Sequence, residues 1–464
     1  KGEPCLYPLR LRQIATLLQG KIIRGNPDLV LTNVYYRRGR HINARTLFFF
    51  YDSRGRKRPD LRDLSPGAVV TSRDLLPLVP ARLPVIVVNN PFRALWKLAR
   101  WQRNQLAIPV IGITGSAGKS TTTAMTAAIL SRVHPTLHTV GNLNTTTWFP
   151  FQMLRVSPHH RAVVFEMGMN RLGDIRQHSR AARPSIAVIT NIGEAHVGNL
   201  GNTLDNVVRA KQEIIEGLSP TGTLVLNADD ERSRRIDTRK VRERVVTFGI
   251  RNPADYRAKD VRYTLTGMRF TVALRGANHT FHLPVFGEHM VYNALAAIAV
   301  ADLLGISPAA MREGLRRFRP PKMRLQMIRG KQGRLLINDA YNANPSAMIA
   351  GLAILPHLPH KGKRIAVLGD MMELGTLTHS GHRRVGRYIT AHRPVDVLVT
   401  VGRYGRIIAE AARERGFGPV YTFPTREDAL KYLLKTPPGS VLYFKASRRL
   451  CFERLLRPLR KDER

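Results

Sequence analysis

Lys119 and Ser120 lie inside IGITGSAGKSTTT (Ile111 to Thr123), where an apolar run breaks into three glycines, a lysine and a series of hydroxyl side chains. A strand that runs into small residues and then Gly-Lys-Ser turns backbone N–H groups toward one point at a helix N-terminus. That geometry holds a phosphate chain. The expected ligand is ATP or GTP. The glycines are Gly112, Gly115 and Gly118, so Ile113 stands where the common phosphate loop has its first glycine. A glycine-rich turn with no ligand is the alternative. Lys119 and Ser120 stand where a phosphate and a magnesium ion need them, which favours the nucleotide.

Glu166 ends the apolar run AVVFE, and His196 follows the run IAVIT. A strand-end Glu or a loop His is by itself more often structural. Beside a phosphate loop, both are expected as Mg²⁺ or water-mediated ligands. Ser120 would supply the first metal ligand and Glu166 the second, with His196 helping a second ion.

These residues need a sheet edge to carry them. From Ile108 onward the runs PVIGITG, RAVVFEMG, SIAVITNIG and TGTLVLNADD each end in Gly, Asn or acidic residues, as parallel strands with functional loops at their carboxyl ends do. A β-rich patch, YTLTGMRFTVALRGANHTFHLPVFG, and a helix through YNALAAIAVADLLG follow. After Pro320-Pro321, which mark the expected hinge, GRLLINDAY, KRIAVLGDM, VDVLVTVG and SVLYFKAS read as a second set of α/β units. Ahead of all this, LVLTNVYY, ARTLFFFY and PVIVVNNPFRALWKLARWQRN read as short strands and a helix. The expectation is an α/β chain of three domains: a small N-terminal acceptor domain (1–106), a central ATP-binding domain on a phosphate-loop parallel sheet (107–318) and a C-terminal Rossmann-like domain (319–464).

At 464 residues the chain is long enough for several cores, and its 43% hydrophobic content is ordinary for a folded protein. No apolar run approaches the roughly 20 residues that span a bilayer. Two cysteines, Cys5 and Cys451, make neither a disulfide framework nor a metal-thiolate spacing, so a cytoplasmic setting is expected. The net charge of +41 invites a nucleic-acid reading. Yet the basic residues are dispersed, from YYRRGR (35 to 40) to ERSRRIDTRKVRER (231 to 244), without interleaved aromatics or a zinc or helix-turn-helix signature. A diffuse basic surface is preferred over a nucleic-acid partner.

With these pieces in place, the chain resembles the Mur ligase family. GITGSAGKSTTT is similar to its nucleotide loop, shifted glycine included, and GNLNTTTWFP to the segment beside the acceptor. FEMGMNRLGDI, ITNIGEAHVGNLGN and AKQEII resemble its metal and lysine motifs, and GEHMVYNALAA its adenine motif. INDAYNANPSAM and VLGDMMELG resemble the branch that adds D-alanyl-D-alanine. The likeness covers about Pro109 to Ser447. It implies ATP-driven amide-bond formation through an acyl phosphate, with Mg²⁺, in the synthesis of a peptidoglycan precursor from a UDP-N-acetylmuramoyl tripeptide and D-alanyl-D-alanine.

The resemblance also implies roles. ATP would be held by Gly115, Ser116, Ala117, Gly118, Lys119, Ser120 and Thr121, with His289 and Asn293 at adenine, Asp339 at the ribose and Asn342 shaping that pocket. Arg324 would reach the γ-phosphate from the third domain, somewhat like an arginine finger. Lys211 would be carbamylated and join the metal ligands. Asn142, Asn144 and Thr145 would lie beside the acceptor, and Glu373, His382, Lys445 and Ser447 near the incoming amine. Three departures stand out. Met290 replaces the usual asparagine of the adenine motif. Ala446 replaces the glycine of Lys-Gly-Ser, an added methyl expected to narrow the amine pocket. The first domain has Arg38-Gly39-Arg40 in place of Asp-Ser-Arg and lacks Asp-Gly-His, so Arg37, Arg38 and Arg40 are expected to hold an anionic acceptor instead. A monomer is expected. The alternatives are a paralogous ligase with a different carboxylate acceptor and, from another class, a nucleic-acid-binding ATPase.

Overall fold

The run Val110–Thr114 is buried along its whole length and forms an inner strand of a nine-stranded sheet. The computed structural model describes residues 5–37, 41–52, 59–141 and 143–461. Arg38, Arg40 and Asn142 lie outside the described residues.

The order of the central sheet is Ala277–Leu283, Gly267–Leu274, Tyr256–Thr264, Arg244–Gly249, Thr223–Asn227, Ile186–Ile189, Val110–Thr114, Ala162–Glu166 and Thr136–His138. From Tyr256–Thr264 to Thr136–His138 every neighbour pairs in parallel, and the strands made from the β-rich patch pair antiparallel at one edge. The chain leaves Val110–Thr114 toward one edge, through helix Lys119–Leu130, and later crosses to the other side through helix Asp174–Ala182. A reversal of that kind opens a crevice at the carboxyl ends of the strands. Thr114, Glu166 and Ile189 all end there, so the sequence motifs that follow them share one rim.

Helices cover both faces. Lys119–Leu130 packs on Glu288–Leu303, an alanine-rich helix buried on most of its circumference, as a helix without a polar face must be. On the opposite face, helix Pro91–Asn104 brings Trp96 against Phe149 (ring centroids 5.9 Å apart) and His178 (5.8 Å), in an apolar core shared with the first sheet. That first sheet has six strands, ordered Cys5–Arg10, Val30–Tyr35, Thr46–Phe49, Ala68–Thr71, Val85–Val87 and Lys21–Arg24.

The third sheet runs Gln326–Arg329, Leu335–Asn338, Val441–Lys445, Arg364–Gly369, Val397–Val401 and Val420–Phe423 and is parallel after its first pair. Pro320 and Pro321 lie in the irregular segment joining this sheet to the helix Pro308–Arg316. Ala446, expected to crowd the amine pocket, is fully buried with its methyl against the backbone of Gly369. Its extra carbon fills core, not pocket.

Candidate active site

Two glycines shape the loop at the end of Val110–Thr114. Gly115 has φ 146° and Gly118 φ 81°, and a Cβ at either would collide, with Thr190 Oγ1 and Asn293 Oδ1 respectively. The amides of Ser116 and Ala117 donate to Asn191, to its carbonyl oxygen (2.9 Å) and its side-chain Oδ1 (2.9 Å). This corrects the expectation that their N–H groups face a ligand. What remains is the uncapped N-terminus of Lys119–Leu130, where no side chain accepts from the first turn. Its free N–H groups and the helix dipole suit that end to an anion. Lys119 Nζ folds back onto the Gly115 carbonyl at 2.7 Å, and burial pushes its pKa down, with Glu166 opposing and Arg324 reinforcing that shift.

Beside the loop, Glu166 is 1% exposed and accepts from Ser120 Oγ and from Asn144 Nδ2, each at 2.6 Å. Arg324 Nη2 donates to the same Ser120 hydroxyl at 2.9 Å, across 204 residues of sequence. Its guanidinium lies 4.3 Å from the Tyr341 ring centre. Met323 and Leu325, on either side of it, have φ of 62° and 47°, a strained backbone fastened by the Leu325 amide donating to Asp339 Oδ1 at 3.2 Å.

Lys211 is fully buried and its Nζ has no hydrogen-bond partner. Burial pushes its pKa well below the ordinary lysine value, Lys119 adds to the shift, and Glu166 and Glu213 oppose it. His196 Nδ1 lies 2.6 Å from Oε2 of Glu373, which sits in the loop after strand Arg364–Gly369, and burial lowers the histidine pKa despite that carboxylate.

Several expected contacts fall elsewhere. Asn293 is a brace under Gly118: its Oδ1 accepts from Thr122 Oγ1 at 3.2 Å, and its Nδ2 donates to the Met290 sulfur at 3.7 Å. The methionine that replaces asparagine thus serves as that amide's acceptor. Lys445 is buried and donates to the Asp339 carboxylate, so it belongs with the expected ribose carboxylate rather than with the amine. His382 is fully buried with both ring nitrogens on backbone, at Thr378 O (2.6 Å) and the Met371 amide (3.0 Å). Ser447 Oγ accepts from the Met372 amide at 2.8 Å. His382 and Ser447 therefore hold the loop that presents Glu373, with both ring nitrogens of His382 already engaged by backbone. Asn342 turns its Oδ1 to the amide of Ala343 (2.9 Å). Burial pushes the pKa of His289 down to about 4. The Thr145 carbonyl opens the helix Phe149–Met153 by accepting from Phe149 N at 2.8 Å, and Thr121 is buried in its own helix. Arg37 covers the rings of Tyr36 (5.1 Å) and Trp148 (4.9 Å) where the first and central sheets meet.

Sequence reasoning missed the residues that fasten the rim. Thr190 Oγ1 donates to the Ala117 carbonyl at 2.6 Å, and Glu194 accepts from Arg384 (2.8 Å) and Ser346 (3.1 Å) of the third domain. Their signal was their position inside ITNIGEAHVGNLGN, directly after a strand end.

Comparison with known proteins matches this arrangement. Residues 113–301 match the Mur ligase middle domain, and residues 323–448 match the Mur ligase, glutamate ligase domain. A UDP-N-acetylmuramoyl-tripeptide–D-alanyl-D-alanine ligase of Bacillus subtilis is 36% identical over 395 residues, 85% of this chain and 84% of that protein. The chain belongs to the Mur ligase family. The Escherichia coli protein of the same name is 32% identical, over 85% of this chain and 86% of its own length. A crystal structure of MurF from Acinetobacter baumannii superposes with a TM-score of 0.88 at 30% identity, covering 98% of this chain and 99% of that one. In this Mur ligase the likeness to solved structures extends over the N-terminal domain, which the two family models do not reach.

Proposed function

We propose that the chain adds D-alanyl-D-alanine to a UDP-N-acetylmuramoyl tripeptide, using ATP to form the new amide bond in peptidoglycan precursor synthesis. The observation that carries this is the meeting of Lys119, Ser120 and Glu166 with Arg324 from the third domain. A carboxylate is a poor electrophile. Transfer of the γ-phosphoryl group to the acceptor carboxylate releases ADP and leaves an acyl phosphate. The amine then attacks that carbonyl carbon, and collapse of the tetrahedral intermediate expels phosphate. Both steps gather anionic oxygens, so donors already aimed at the site lower the barrier without reorganising. The first-turn amides of Lys119–Leu130 take phosphate oxygens, Lys119 leaves the Gly115 carbonyl for the phosphate chain, and Arg324 neutralises charge from the opposite side.

The residues fit magnesium. Among the described residues no group of three or more His, Cys, Asp and Glu is placed to hold a metal ion. The set at the rim is instead a hydroxyl, one buried carboxylate, an imidazole and the orphaned Nζ of Lys211. A neutral buried amine can add CO₂ with loss of a proton, which turns Lys211 into a second anionic oxygen ligand. Ser120, Glu166, carbamylated Lys211 and His196 would then hold Mg²⁺, which supplies positive charge against the phosphate oxygens. Asn144 orients Glu166, and Glu373 faces the incoming amine. A monomer in the cytoplasm goes with this reading, since one chain supplies every group. Among the described residues no helix is long and apolar enough to cross a membrane.

Phosphate release, followed with ATP, UDP-muramoyl tripeptide and D-alanyl-D-alanine added singly and together, tests the reading. Release is expected only with all three present. Turnover without the amine, or none with this acceptor, would overturn it.

A further inference from the structure

A cavity of about 240 Å³ lies at the outer edge of the central sheet, lined by Thr136, Leu137, His138, Val140, Arg155 and His160. Its lining includes no acidic side chain and none of the residues placed at the nucleotide loop. Arg155 is the unusual member. Its Nη1 donates to the neutral Gln152 Oε1 at 2.9 Å, while its Nε is buried with no hydrogen-bond partner. A buried guanidinium N–H with no acceptor is unfavourable, and an anion arriving in the cavity to accept from it removes that penalty.

The position of Arg155 is built in from outside the cavity. Gln102, 1% exposed on helix Pro91–Asn104, donates from Nε2 to Leu154 O (2.9 Å) and Val156 O (3.1 Å), the carbonyls on either side of Arg155. His160 is oriented too. The Ser157 amide donates to its Nδ1 at 3.1 Å, so the neutral ring carries its proton on Nε2. The cavity therefore offers a forked cation and an imidazole N–H, a donor set matched to phosphate oxygens. Its volume is below the roughly 300–1,000 Å³ of sites that enclose a drug-sized ligand. It suits a phosphate group rather than a whole nucleotide.

From these observations we infer that the cavity is a second phosphate-group site, distinct from the loop at Lys119. The group has two sources: free inorganic phosphate, or the diphosphate of a nucleotide-sugar, the latter resting on the function proposed above. The site is joined to the chemistry through its wall. Strand Thr136–His138 continues through Thr139, whose Oγ1 accepts from the Glu166 amide at 3.1 Å, into the segment bearing Asn144. An occupant against Val140 stiffens the base of that segment.

Histidine-selective ¹⁵N NMR of the full chain, titrated with inorganic phosphate and separately with UDP, reads the site directly, with His138→Asn and His160→Asn providing assignments. Saturable shifts at both His138 and His160 are expected, with at least tenfold weaker binding in Arg155→Gln and partial retention in Arg155→Lys. UDP displacing phosphate identifies the diphosphate as the source, and indifference to UDP identifies free phosphate. The proposal fails if neither histidine shifts saturably, if exposed His159 shifts in parallel with His160, or if a folded Arg155→Gln protein saturates as the parent does.

Discussion

Lys119 and Arg324 approach the same point from two domains, and both are fixed by contacts that phosphate would replace or join. Removing either leaves developing negative charge without one aimed donor, an effect of about 10²–10³-fold on kcat. Lys119→Ala and Arg324→Ala should each lose ligation by at least that factor while the fold, read by circular dichroism, is unchanged. Near wild-type rates in Lys119→Ala would contradict the loop assignment. Glu166→Gln is expected to act differently. It keeps the shape of the side chain but removes the charge between Ser120 and Asn144, so the Mg²⁺ needed for half-maximal activity should rise, and excess Mg²⁺ should restore part of the rate. Lys211→Ala should lose activity with CO₂-replete and CO₂-depleted buffers alike, whereas the parent should weaken only on depletion. A parent indifferent to CO₂ would remove the carbamate from the site.

Helix packing around His178 sets a pH dependence that has nothing to do with catalysis. The ring is fully buried, stacked 4.4 Å from Phe149 and 5.8 Å from Trp96, and neither nitrogen has a hydrogen-bond partner. Burial pushes its pKa down to about 4, with Asp174 opposing. The folded state thus resists the proton that the unfolded chain accepts near pH 6.5. The sign follows: stability is full above about pH 6.5 and falls as pH drops toward 4, by about 3 kcal/mol over that span. His178→Phe keeps the stack without a titratable group. Thermal melts between pH 7 and pH 5 should fall less steeply in that variant than in the parent. Equal slopes would assign the acid sensitivity to other groups, His289 among them.

The whole molecule is held in a closed arrangement by polar contacts between the second and third domains, among them the Gly198 amide to the Glu373 carbonyl, the Thr376 amide to Asn202 Oδ1, Arg324 to Ser120, His196 to Glu373, and Arg384 with Ser346 to Glu194. The last of these uses no residue assigned to the reaction. Glu194 is almost fully buried, and although burial pushes its pKa up, the hydrogen bond and charge of Arg384 bring it below the ordinary value. Arg384 is partly exposed, so its loss should shift the balance toward an open form by about 1 kcal/mol, roughly fivefold. Small-angle scattering should show a larger radius for Arg384→Ala than for the parent, with ATP and acceptor drawing the variant closed about the Pro320-Pro321 segment. Identical radii in every state would remove the latch. The excess of cations acts at this scale as well. Acidic side chains are engaged in surface pairs such as Arg176–Glu216 and Arg383–Glu414, which contribute little individually, and the surplus arginines remain as a dispersed positive surface.

What the sequence determined on its own was local. The apolar run before Gly115, the Gly-Lys-Ser turn, the strand ends at Glu166 and Ile189 and the alanine-rich helix each encode their structure within about ten residues, because backbone preference and burial pattern act over one or two turns. The family resemblance added Arg324 and Lys211, which no local pattern marks. Tertiary structure decided which polar groups face which. Lys445 pairs with Asp339, His382 lies behind the loop that carries Glu373, and Asn293 is folded beneath Gly118. It also set the burial that leaves the Lys211 amine and the Arg155 Nε without partners. These outcomes depend on side chains far apart in sequence and on the solvent removed when domains dock. Neither quantity is a property of a short stretch of chain.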